Sequence, residues 1–247
     1  MQAFKIFIFR IGLMLRERIS ENIYWFQSET YAQVCAGVIA GPKWAVVVDT
    51  MMPQESLAMR DFIQNKLNLS VKYVINTHHH ADHSWGNCLF PGATVIGHEI
   101  CRQMLNDRSL SALEVASQDN PLYKQLTIVP PHITFKEGTL NLRIGKKHIQ
   151  LFSTPGHSDD GISVLVEEDR ILFSGDAFMP IPFIVEGNLD LFIETIQGFV
   201  DLGLENIIQG HGEIILRGEI EDKVKESVPY PKATQNAGRT GRCRKNP

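Results

Sequence analysis

Residues 71–83 read VKYVIN and then THHHADH, an apolar run of strand length that stops at four imidazoles and a carboxylate. Histidine is only partly apolar and aspartate is almost never buried without a partner, so a core has no use for this cluster. In an extended segment side chains two apart share a face, so His78 and His80 point together and His79 points away from them. Asp82 and His83 come later, as the chain turns toward SWGN, and face a second position. The same design recurs at HIQLFSTPG-His157, ILFSG-Asp176 and NIIQG-His211, each a short apolar strand, a small or turn residue and a ligand-type side chain. Buried strands that end together converge such groups on one rim. Five imidazoles and two carboxylates suffice for two cations, one carboxylate bridging them and each ion keeping room for water. The other four histidines, His79, His98, His132 and His148, have no comparable context and are read as solvent-facing or packing residues.

Around these points the chain alternates strand-like and helix-like runs. NIYWF, QVCAGVIA and WAVVVD (44–49) read as strands, the last two separated by a Gly-Pro-Lys turn. Residues 53–68 read as a helix, with Pro53 at its start and Leu57, Phe62, Ile63 and Leu67 as its apolar stripe. ATVIG (93–97) is a strand leading into a helix over 98–106. Short strands around 133–152 open the second half, and GISVLVEE (161–168) with ILFSG (171–175) forms a hairpin. A helix over about 188–202, the strand NIIQ (206–209) and a helix near 217–227 complete the pattern. Strands with helices interposed in both halves predict two sheets packed face to face with helices outside.

The 247 residues are 43% hydrophobic, enough for one large core, and the formal net charge of −4 is uneven. Lys232, Arg239, Arg242, Arg244 and Lys245 lie beyond residue 228 with no acid among them, so residues 1–228 carry about −9. An acidic body excludes a phosphate-tracking nucleic-acid surface. Residues 19–228 are taken as one domain, 1–18 as an N-terminal extension or edge strand, and 229–247 as a basic disordered tail. Arg10 and Arg-Glu-Arg at 16–18 argue against a signal peptide, and no run suits a membrane span. The four cysteines show no CxxC pairing, so a reducing cytoplasm is the expected location.

THHHADH, TPGH (154–157), SGDA (174–177) and QGHG (209–212), preceded by VVVDT (46–50), together resemble the metallo-β-lactamase superfamily over about residues 21–215. The resemblance implies an α/β fold, a four-layer αββα sandwich of two mixed β-sheets flanked by helices, with metals at one edge of the sheets. It further implies that His78, His80 and His157 hold one ion, that Asp82, His83 and His211 hold a second, and that Asp176 bridges them. Asp49 would orient the ligand loop through hydrogen bonds. Two divalent ions follow as cofactors, with zinc expected and iron or manganese as alternatives, since imidazole and carboxylate suit all three.

Two such ions lower the pKa of a shared water toward neutrality and polarise a carbonyl or phosphoryl oxygen, while Asp82 both ligates and orients the attacking water. No GxSxG elbow or P-loop competes, and Cys88 and Cys101 carry no catalytic signature. Members of the superfamily with a zinc-binding cysteine have it where Asp176 stands, so the site is closer to glyoxalase II, lactonases and phosphodiesterases. Glyoxalase II adds a helical glutathione-binding domain after its last metal histidine, whereas 36 residues follow His211. Quorum-signal lactonases place a tyrosine three residues after the bridging aspartate, where this chain has Met179. The loop AFMPIPFIVEGN (177–188) carries no cation, and Phe178 and Met179, with Trp85, are taken as the substrate pocket. The expectation is a permissive ester, thioester or lactone hydrolase with weak β-lactamase activity, acting on a small molecule and engaging neither nucleic acid nor membrane. A homodimer through the 177–188 loop is a further expectation. The rivals are an iron-dependent persulfide dioxygenase and a β-lactamase or phosphodiesterase of the same superfamily.

Overall fold

A computed structural model of the chain describes residues 14–229. The first sheet holds β1 (Met14–Ser20), β2 (Ile23–Ser28), β3 (Cys35–Ala40), β4 (Trp44–Val48), β5 (Ser70–Ile75), β6 (Thr94–His98) and β7 (Ile133–Phe135), ordered in space as in sequence. Its first four strands pair antiparallel and its last three join in parallel, so the sheet is mixed. The second sheet holds β8 (Thr139–Ile144), β9 (Lys147–Ser153), β10 (Ile162–Val166), β11 (Ile171–Gly175), β12 (Asn206–Gln209) and β13 (Ile215–Leu216). It too is mixed, with β11 and β12 parallel and the other neighbours antiparallel. The helices are α1 (Pro53–Asn65), α2 (Ala81–Ser84), α3 (Glu99–Asp107), α4 (Ser109–Asp119), α5 (Leu189–Gly198) and α6 (Ile220–Ser227).

Alternation along β4 shows why the layers form. Val46 and Val48 point into the core between the sheets, against residues such as Val164, Val166 and Phe173, while Ala45 and Val47 point the other way onto Met59, Phe62 and Ile63 of α1. A strand covered on both faces reads as a continuous apolar run, as WAVVV does. On the far side Leu172 and Ile207 turn outward to Phe192 and Ile196 of α5 and to Ile220 and Val224 of α6. The layers are therefore helix, sheet, sheet, helix, as the motifs implied.

Several elements differ from their sequence reading. Strand β1 is the edge of the first sheet and runs across the boundary drawn at residue 18. Residues 1–13 and the basic tail from 230 onward lie outside the described residues. Helix α1 ends at Asn65, and Leu57 is exposed while Met59 is fully buried, so Met59 occupies the stripe position assigned to Leu57. Helix α4 was not foreseen, because among its side chains Leu110 and Val115 face solvent and Leu113 is the apolar one that is buried. β7, grouped by sequence with the second half, pairs in parallel with β6 instead. The helix expected over 188–202 is α-helical to Gly198 and continues as a 3-10 turn to Leu202. No helix among the described residues is long and apolar enough to cross a membrane.

Candidate metal centre

Four strands, β5, β9, β11 and β12, end at one edge of the sandwich, and the turns that follow them carry His78, His157, Asp176 and His211. Asp49 follows β4 at the same edge, in a left-handed conformation with φ of 58°. Helix α2 begins immediately after His80 and lifts Asp82 and His83 onto the opposite side of Asp176. The seven expected ligands meet here, in two groups about one carboxylate.

In the first group His80 Nδ1 lies 2.9 Å from His78 Nε2 and 3.1 Å from His157 Nε2. Asp176 Oδ2 stands 3.6 Å from His78 Nε2 and 3.3 Å from His157 Nε2. In the second group Asp176 Oδ1 is 3.3 Å from His83 Nε2 and 3.5 Å from His211 Nε2, and Asp82 Oδ2 is 3.5 Å from that His211 nitrogen. The two oxygens of Asp176 thus face different groups, which is what bridging requires. The close approach depends on the glycine of QGHG: a Cβ at Gly210 would collide with Asp176 Oδ1.

The remote ring nitrogens decide which atoms are offered to the centre. His157 Nδ1 can only donate to the Phe183 carbonyl, at 2.6 Å, and His211 Nδ1 to the Ala32 carbonyl, at 2.9 Å. Thr77 Oγ1 donates its one proton to Asp49 Oδ2, at 2.7 Å, so it accepts from His78 Nδ1, at 3.0 Å. His83 Nδ1 donates to Asp49 Oδ2, at 2.9 Å. Each of these four imidazoles keeps a proton on Nδ1, held by the acceptor behind it, and turns Nε2 toward the centre. Ring nitrogens converging on a buried carboxylate whose Oδ1 has no hydrogen-bond partner call for a cation. Nitrogen and carboxylate donors fit zinc, iron or manganese equally well.

The ionisation of the bare groups reflects the crowding. Burial alone would raise the Asp176 carboxyl, but the imidazoles of His83 and His78 hold it well below the usual carboxylate range. Burial, reinforced by His83, keeps His78 uncharged, and burial with the neighbouring His157 brings His80 down to about 4. Burial would lower His83 and His211 too, but Asp176 raises both, so these two must release a proton to ligate a metal as neutral imidazoles.

Asp49 accepts from the Thr77 N–H, the Thr77 hydroxyl and His83, the orienting role expected of it. Of the three residues assigned to a substrate pocket, Met179 lines the cleft over the centre, a space of about 580 Å³. Phe178 does not: it is buried against Phe199 and the α5 side of the second sheet. Trp85 does not either, since it packs with Cys101, Leu105 and Leu113 beneath α3 and α4 and stacks edge-on with Tyr123. The sequence reading missed Tyr31 and Gln33, from the loop between β2 and β3, which also line the cleft. It also missed the partners of His79, which is buried with Nδ1 3.0 Å from Asp160 Oδ1 and Nε2 3.3 Å from Glu186 Oε2. His98 caps α3, His132 accepts from the Val95 N–H and His148 pairs with Glu168, all structural roles.

Known proteins resemble this chain over much of its length. A beta-lactamase-like protein 2 homolog from Caenorhabditis elegans is 25% identical over 190 residues, 75% of this chain and 57% of its own length. A hydroxyacylglutathione hydrolase from Francisella tularensis subsp. novicida is 31% identical over 137 residues, 53% of this chain and 42% of the other. The chain therefore spans about half the length of these curated relatives. Among solved structures, a metallo-beta-lactamase family protein from Thermus thermophilus superposes with a TM-score of 0.70 at 21% identity, covering 89% of this chain and 82% of that one. The fold is therefore that of the metallo-β-lactamases. The model of the metallo-beta-lactamase superfamily matches residues 31–220, most of the chain and every residue of the centre, and the chain belongs to that superfamily.

Proposed function

We propose that the chain is a dinuclear metal-dependent hydrolase of esters, thioesters or lactones. The observation that carries this reading is Asp176, whose two oxygens each face a separate set of inward-pointing imidazoles. Two ions held there, zinc by expectation, would supply Lewis acidity, lowering the pKa of a water and polarising a carbonyl oxygen. The protein's part is positional. Asp49 and Thr77 hold His78 and His83 in one tautomer, and the Phe183 and Ala32 carbonyls do the same for His157 and His211. Asp82, partly open to the cleft and 3.5 Å from His211 Nε2, would orient the incoming water while remaining a ligand. Thioester hydrolysis draws further support from the hydroxyacylglutathione hydrolase among the relatives.

The test is a panel of p-nitrophenyl esters, thioesters, lactones, a chromogenic cephalosporin and a bis-aryl phosphate, run with metal assayed in parallel. Turnover of an ester, thioester or lactone, lost in Asp176→Ala together with most of the bound metal, is the expected result. A single bound iron with oxygen uptake on glutathione persulfide, and no hydrolysis, would replace this reading by a dioxygenase. Full activity in Asp176→Ala would remove the bridge.

A further inference from the structure

One wall of the cleft is built from apolar side chains that nothing in the fold requires. Ile181 and Phe183 are each 63% exposed, yet both line the space above the centre together with Met179 and Val185. Pro180 and Pro182 flank Ile181 and fix φ on either side of it, so the segment is stiff. It is also tied to a metal ligand from both directions: His157 Nδ1 donates to the Phe183 carbonyl, at 2.6 Å, and the His157 carbonyl accepts from the Val185 N–H, at 2.8 Å. Just beyond, Glu186 adopts φ of 55°, outside the range most side chains prefer, and its carboxylate reaches both His79 and the Arg108 guanidinium. That clamp joins the wall to the ligand loop and to the junction of α3 with α4. Among the described residues no lysine or arginine lines the cleft, and the acidic side chains there are Asp82 and Asp176.

We infer that the Met179–Val185 segment is an acyl-binding wall that selects substrates whose acyl group is uncharged and apolar, with Glu186 as the residue that positions it. This rests on the hydrolase reading and narrows it. An acyl carbonyl set at the centre leaves its chain against Ile181 and Phe183, which removes apolar surface from water on both partners. An acyl chain ending in a carboxylate would meet no lysine or arginine of the described residues at that wall and would lose its hydration without compensation. Stiffness serves this role, since a wall already in place loses little entropy when a chain settles on it.

Calorimetric titration of hydroxamates from acetyl to octanoyl onto the metal-loaded protein reads the wall without needing turnover. The dissociation constant should fall by up to roughly fourfold per added methylene, the transfer value of a CH2 group, and succinyl hydroxamate should bind more weakly than butanoyl. The double variant Ile181→Ser with Phe183→Ser should flatten that slope while keeping its metal, because the Phe183 carbonyl is retained. Glu186→Gln, which keeps shape and loses charge, should weaken octanoyl binding more than acetyl binding. Affinity independent of chain length in the wild-type protein overturns the inference, as does an unchanged slope in the double variant. Loss of a dimer in that variant, with a flat wild-type slope, would assign the patch to a second copy of the chain. If hydroxamates follow the slope but no ester, thioester or lactone is turned over, the hydrolase reading fails and the wall stands.

Discussion

At the scale of single residues, the metal-ligand candidates were legible because each sits at a strand end beside a small or turn residue, a pattern that survives without any knowledge of packing. Their supports were only partly legible. Asp49 was named, but its three hydrogen bonds depend on a left-handed turn that brings it to Thr77 and His83. Asp160 and Glu186, on either side of His79, carry no local signature, since the contact joins residues far apart in the chain. Trp85 and Phe178 were misplaced because nearness in sequence to a ligand says nothing about which way a side chain turns; both turn inward. The Asp49 network yields a prediction. Asp49→Asn replaces one acceptor oxygen by a donor facing His83 or Thr77, so metal affinity should drop about 10- to 100-fold. Chelator competition measures that drop, activity should return with excess metal, and the circular dichroism spectrum should be unchanged. Undiminished affinity would mean that His83 is held by something else.

At the scale of elements, strands were read well wherever both faces are covered, as in WAVVV and ILFSG, because burial on two sides leaves no polar position to confuse the pattern. Helices were harder. In α1 the sequence stripe took Leu57 for a buried position, yet Leu57 is 37% exposed and Met59 is 0% exposed. The helix also buries Glu55, which accepts from Ser28, at 2.7 Å, and Thr30, at 2.9 Å, so its inner face is not purely apolar and a hydrophobic count misjudges its orientation. Leu57→Ala should change stability by no more than about 0.5 kcal/mol. Met59→Ala, which empties a packed site between α1 and the first sheet, should cost about 2–5 kcal/mol. Urea denaturation of both variants checks the pair; equal costs would mean that the helix is rotated from its described position.

At the scale of the whole molecule, the two sheets owe their packing to apolar side chains and their meeting edge to the centre. The candidate imidazole and carboxylate ligands come from turns after different strands, so bound cations would also cross-link the sheets: His78 and His83 follow strands of the first sheet, His157, Asp176 and His211 strands of the second. A ligand bound by the folded state alone stabilises it by mass action. Chelated protein should therefore melt at a lower temperature than protein with saturating zinc. The most direct measurement of the central claim is anomalous diffraction from crystals soaked in zinc. Two peaks should appear, one among His78, His80 and His157 and one among Asp82, His83 and His211, with Asp176 between them; an empty pocket after the soak, or zinc bound away from Asp176, would contradict it.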